Sequence, residues 1–220
     1  MTILHESDPH GDAPVRTLGP SLGTASAAAI FVHGRGATAE SILELARAIE
    51  VPGISYLAPQ AAGQTWYPKS FLSPIPENEP GISSGIACIA RLVASVEAAG
   101  ISANRVALLG FSQGACLSLE FAARNAKTYG AVIGLSGALI GPPGTPREYA
   151  GTLQGTRIFL GCSDVDSHIP LWRVNESAEV LERLGATVDR RIYPGMGHTV
   201  NPDELKAVRD LLSGLVSEQP

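Results

Sequence analysis

Cysteine is scarce in this chain: Cys88, Cys116 and Cys162 are spread over 220 residues. An odd count at wide spacing, without a C-x-x-C pair or a histidine cluster, argues against a disulfide framework and against a structural metal site. Basic residues are also few and scattered. Sixteen Lys and Arg stand against 21 Asp and Glu, a formal net charge of −5, which offers no footprint for nucleic acid or anionic lipid. No uninterrupted apolar run reaches the about 18 residues of a membrane span, so stable membrane insertion is not expected. The opening segment, MTILHESDPHGDAPV, mixes His, Glu, Asp and Pro where a secretory leader has a basic end and an apolar stretch. The cytoplasm is therefore the expected compartment. No internal repeat or low-complexity tract is present, and no cofactor is expected.

Hydrophobic residues make up 45% of the chain, with 24 Gly and 16 Pro, a composition that fills a core and punctuates it with turns. The length suits one α/β domain over 1–220, with a polar, poorly ordered leader over 1–14. The apolar run Ala27 to Val32 ends in His33-Gly34-Arg35-Gly36 and is followed by helix-periodic residues from Glu40, which reads as strand, glycine loop, helix. Further strands are expected at Ile54 to Ala58, Arg105 to Leu109, Ala131 to Leu135, Arg157 to Leu160 and Thr187 to Tyr193. Helices are expected at Gly85 to Ala99, Ala115 to Ala126, Leu171 to Leu184 and Pro202 to Val216. Alternating strands and helices imply a mostly parallel central sheet flanked by helices, with ligands at the carboxyl ends of the strands. The proline-rich segment Gln64 to Gly81 cannot hold regular structure for long and reads as an ordered surface excursion anchored by Trp66, Tyr67 and Phe71.

The strongest chemical signal is Gly110-Phe111-Ser112-Gln113-Gly114, a G-x-S-x-G between a strand and a helix. Such an abrupt turn needs small neighbours around a strained serine, and it sets the hydroxyl at a helix N-terminus, where developing negative charge is favoured. A serine needs a base to take its proton and a carboxylate to orient that base. His5 and His10 fall in the polar leader and read as solvated surface; His33, at a strand end, reads as loop-shaping. His168 is a minor candidate. His198, in a glycine loop between the last strand and the last helix, is the expected base. The loop after Arg157 to Leu160 offers Asp164 and Asp166, and the residue pattern alone does not separate them. The oxyanion of a tetrahedral intermediate needs two N–H donors. The amide of Gln113 is one, and the loop His33-Gly34-Arg35-Gly36 is the expected source of the other.

With these residues in place the chain resembles the phospholipase/carboxylesterase family of α/β hydrolases, which includes acyl-protein thioesterases and small bacterial carboxylesterases. The resemblance runs from about Ala27 to Leu212 and rests on Phe31-Val32-His33-Gly34, the Ser112 motif, Asp166-Ser167-His168-Ile169-Pro170 and Gly195-Met196-Gly197-His198. It implies an α/β-hydrolase fold and a triad of Ser112, Asp166 and His198. It selects Asp166 over Asp164 through the family's D-x-x-[VI]-P signature, assigns the second oxyanion amide to Arg35, and implies that Trp66 and Tyr67 lie near the acyl site. Two departures turn the expectation from acyl-protein thioesters toward simple esters. Arg35-Gly36-Ala37 replaces an apolar residue followed by Gly-Asp, and the segment Trp66 to Pro80 is unlike a loop shaping a long acyl tunnel.

Only 21 residues separate the strands at 131–135 and 157–160, too few for a cap domain. The cleft should then be open, walled by the excursion at 64–81 and the loop at 137–150, with Trp66, Tyr67 and Phe111 contacting an apolar acyl chain. The expected partner is a small-molecule ester of short to medium chain, cleaved through an acyl-enzyme, and Arg35 suggests acyl groups carrying a carboxylate or polar oxygen. The sequence leaves a homodimer open. The alternatives are a lysophospholipase or thioesterase and, more remotely, a non-catalytic small-molecule receptor on the same fold. A dienelactone-hydrolase-like lactonase would place Cys at position 112.

Overall fold

The computed structural model describes residues 8–217. Its centre is a seven-stranded sheet of Val15–Leu18 (β1), Ala27–Val32 (β2), Ile54–Pro59 (β3), Val106–Phe111 (β4), Ala131–Leu135 (β5), Arg157–Ser163 (β6) and Thr187–Tyr193 (β7), in the order β1-β3-β2-β4-β5-β6-β7. All neighbours pair in parallel except β1, which runs antiparallel to β3 at the edge. The central strands are continuously apolar because both of their faces are covered. In β2, Ala27, Ala29 and Phe31 enter one hydrophobic cluster, while Ala28, Ile30 and Val32 enter the other. The period of two in side-chain direction thus divides one strand between two cores.

Ala39–Ile49 (α1) and Pro202–Ser217 (α5) cover one face. Gly81–Ala98 (α2), Gln113–Arg124 (α3) and Leu171–Arg183 (α4) cover the other. α1 starts from a reciprocal cap: the Ser41 amide donates to Thr38 Oγ1 and the Thr38 amide to Ser41 Oγ. With 18 residues and a mean hydropathy of 1.3, α2 has the length and composition of a membrane span, but half of it is buried in the core on the sheet. Its Arg91 also binds Asp8 Oδ2 at 3.1 Å and the His10 carbonyl at 3.0 Å.

Three sequence expectations need correction. The described part of the leader packs on the domain: the His10 amide donates to Ser84 Oγ at 2.8 Å and the His10 side chain is buried, not solvated. The imidazole finds one backbone partner for each nitrogen, accepting from the Ala62 amide at Nδ1 and donating to the Trp66 carbonyl from Nε2. His5 lies outside the described residues. Strand β1 was not anticipated, since four residues carry too little alternation and only pairing with β3 defines it. The loop at 137–150 does not wall the cleft. Ala138, Leu139 and Ile140 are buried, because Ser177 Oγ and Glu120 Oε2 accept the amides of Leu139 and Ile140 and draw the segment under α3 and α4.

Candidate active site

Parallel strands leave their loops on one rim. Arg35 follows β2, Ser112 follows β4, Asp166 follows β6 and His198 follows β7. The turn at Ser112 has φ 54° and ψ −119°, a strained conformation for a residue with a Cβ, and its amide is held by the Leu135 carbonyl at 2.9 Å. Its two glycines are needed for space. A Cβ on Gly110 would collide with the Gly114 carbonyl group, and one on Gly114 with the Val32 carbonyl.

His198 Nε2 accepts from Ser112 Oγ at 2.9 Å, and His198 Nδ1 donates to Asp166 Oδ2 at 2.7 Å. The other Asp166 oxygen accepts the amides of His168 and Ile169 at 2.8 and 3.0 Å. Burial alone would raise the Asp166 pKa, but the hydrogen bonds from His198 and the two amides outweigh it and hold the carboxyl below its ordinary value. It stays ionised and so fixes the imidazole with its free lone pair toward the serine. Asp164, the competing candidate, accepts the Gly195 amide at 2.8 Å. Ser163 Oγ accepts the Gly197 amide at 3.1 Å. These two bonds tie the acid loop to the histidine loop, which gives Asp164 a positioning task.

The loop after β2 is set by His33, which is fully buried. Its Nε2 accepts the Ala61 amide at 3.1 Å, so Nδ1 carries the proton and donates to the Gly34 carbonyl at 2.7 Å. Burial lowers its pKa and keeps it neutral. Because C=O and N–H of one peptide point in opposite directions, fixing the Gly34 carbonyl also fixes the Arg35 amide. Arg35 and Gln113 both line the cleft, and neither backbone amide donates to an acceptor among the described residues.

The cleft has a volume of about 490 Å³ and is lined in part by Tyr67, Phe71, Phe111, Cys116, His168 and Ile169. The Phe111 ring stacks obliquely on His198 at 5.1 Å, and the His168 ring approaches it at 4.7 Å. Trp66 departs from the expectation: it is fully buried and absent from the lining. Its indole N–H donates to the His33 carbonyl at 2.9 Å and its amide to Gln113 Oε1 at 2.9 Å, while Gln113 Nε2 donates to the Tyr67 carbonyl at 2.8 Å. Trp66 therefore braces the excursion against the Ser112 turn from below. Cys116, on the cleft floor, is no competing nucleophile, since burial pushes its thiol up to about 12.

Glu204 was not anticipated. It is fully buried at the start of α5, where its Oε2 accepts the Asn201 amide at 2.8 Å and its own amide donates to Asn201 Oδ1 at 2.9 Å. The other oxygen has no partner and lies against Gly161, and burial pushes the pKa from 4.5 to about 7. A carboxyl raised in the fold binds its proton more tightly there than in the unfolded chain. Its contribution to stability is complete below about pH 4.5 and is lost as pH rises through about 7. Glu204→Gln should remove this dependence. Urea unfolding at acid and at alkaline pH should show the variant gaining roughly 3 kcal/mol relative to wild type across that window; a constant difference contradicts the assignment.

A family model described as phospholipase/carboxylesterase matches residues 20–216. The chain belongs to this family. A phospholipase/carboxylesterase from Dyadobacter fermentans, known from its crystal structure, is 38% identical, with 91% of this chain and 96% of that one covered and a TM-score of 0.88. Acyl-protein thioesterase 1 of Yarrowia lipolytica is 24% identical over 218 residues, covering 90% of this chain and 96% of its own. The match to acyl-protein thioesterase 1 of Gibberella zeae is 33% identical but spans about half of each chain, 51% and 49%. The fold is that of the α/β hydrolases, and the family is one of hydrolases acting on esters and thioesters.

Proposed function

We propose that this protein is a serine carboxylesterase that cleaves short- to medium-chain carboxylic esters. Ser112 Oγ attacks the ester carbonyl while His198 Nε2 takes its proton, and the amides of Arg35 and Gln113 hold the resulting oxyanion. The imidazolium returns the proton to the departing alkoxide, leaving an acyl group on Ser112. Water, deprotonated by the same imidazole, attacks the acyl carbonyl; the acid departs and Ser112 regains its proton. Asp166 stays ionised throughout and stabilises the imidazolium. The observation that carries this reading is the unbroken relay of 2.9 and 2.7 Å from the strained serine through His198 to Asp166. The cleft of about 490 Å³, partly lined by Tyr67, Phe71 and Phe111, has room for an apolar acyl group.

A second reading, acyl-thioester hydrolysis, is favoured by the names of the fungal relatives. A series of p-nitrophenyl esters of increasing chain length, run beside matched thioesters and lysolipids, separates the two. The expected result is highest kcat/KM for short to medium oxygen esters; a preference for long-chain thioesters selects the second. A fluorophosphonate probe should label Ser112, and an unlabelled, folded protein would overturn both.

A further inference from the structure

Lys69 lines the cleft and has no carboxylate partner among the described residues. The other two lysines are both paired, Lys127 with Glu97 at 2.7 Å and Lys206 with Asp210 at 2.6 Å. Among the described residues no carboxylate lines the cleft. A second cation, Arg35, lines it too. That guanidinium donates to the carbonyls of Pro68 at 3.0 Å and Lys69 at 2.6 Å, so it serves as a strut between its own loop and the excursion. Its partners are neutral and leave its charge uncompensated. The Lys69 backbone is locked on both sides, because its amide also donates to Asn78 Oδ1 at 2.7 Å. The exposed Lys69 side chain thus springs from a fixed backbone beside the Arg35 guanidinium, and both residues line the cleft.

We infer that Lys69, backed by the Arg35 charge, forms an anion subsite, and that the preferred ester carries a carboxylate in addition to the bond that is cleaved. The inference rests on the esterase reading and deepens it. Lys69 and Arg35 can both donate to the anion, since the two carbonyl bonds use only two of the five guanidinium N–H groups. The protein as a whole is acidic and repels anions, so any preference for a charged ester must come from this local pair. Salt then discriminates by sign: screening of the net charge would help an anionic ester, whereas screening of the subsite would hinder it.

The test compares two matched pairs in wild type, Lys69→Gln and Lys69→Arg. Mono-p-nitrophenyl glutarate against p-nitrophenyl valerate places the carboxylate on the acyl side. 4-Carboxyphenyl butyrate against 4-acetylphenyl butyrate places it on the alcohol side. In at least one pair the anionic ester should have the higher kcat/KM. That ratio should fall about fivefold in Lys69→Gln, survive in Lys69→Arg, and fall on adding about 0.5 M salt. The responding pair identifies the side that faces Lys69. A ratio that stays below one in both pairs, rises with salt, or is untouched by Lys69→Gln overturns the subsite while the esterase reading stands. Wild-type protein that turns over none of the four esters and ignores a fluorophosphonate overturns the esterase reading and the subsite with it.

Discussion

Ser112→Ala should lower kcat/KM for p-nitrophenyl butyrate by at least about 10⁴-fold while leaving the fold intact. No other cleft group among the described residues is placed to replace the hydroxyl: Ser70 Oγ accepts the Leu72 amide and has no bond to His198, Cys116 is held as a neutral thiol, and no carboxylate lines the cleft. What remains is the rate that the oxyanion donors and binding supply without a nucleophile, and related triads lose several orders of magnitude on this change. Residual activity within about tenfold of wild type would place the nucleophile elsewhere. A companion variant, Ser112→Gly, should be equally inactive yet melt above Ser112→Ala. Alanine keeps the positive φ of 54° and its strain, and glycine relieves about 1–3 kcal/mol of it. Equal melting temperatures for the two would mean that the turn carries no such strain.

Gly114→Ala should cost more stability than any single change at the surface. The added methyl would lie far inside contact distance of the Val32 carbonyl oxygen, and neither partner can step aside: Val32 belongs to β2 in the interior of the sheet and Gly114 to the first turn of α3. Separating them moves the helix off the strand and costs upwards of about 4 kcal/mol. The expected outcome is a chain that fails to accumulate or melts more than about 10 °C below wild type. Gly36→Ala is the contrast. Nothing lies within 4 Å of its would-be Cβ, so only the positive φ of 73° is at stake and the cost is about 1 kcal/mol. Comparable losses at the two positions would show that space is not what makes glycine necessary at 114.

Much of the site was legible because its elements carry strong local signals. Strands covered on both faces read as unbroken apolar runs, and β7 at Thr187–Tyr193 falls where the sequence placed it. Helix ends were less legible: α2 begins at Gly81, ahead of the expected Gly85, because packing of Gly81 against the Trp66 and Tyr67 backbone, and not periodicity, sets its first turn. Trp66 was misplaced as a cleft residue for a similar reason. An aromatic in a loop has the same composition whether it faces a ligand or holds the loop from beneath, and only its partners, the His33 carbonyl and Gln113 Oε1, distinguish the two. His10, Lys69 and Glu204 had no signal at all. Each is common in a polar segment or in the first turn of a helix, and each acquires its meaning from groups distant in sequence.

The sequence by itself determined the alternation of strand and helix, the serine turn with its paired glycines, and the chain order of serine, acid and histidine, since these follow from backbone sterics and hydrophobic period over a few residues. The tertiary structure alone decided that Asp164 holds the histidine loop, that Arg35 is a strut, and that Lys69 lines the cleft with no carboxylate partner among the described residues. Those outcomes depend on which loops the parallel sheet brings to the same rim. Loops joined to different strands meet only after the whole sheet has formed, so no local stretch of sequence records their contacts.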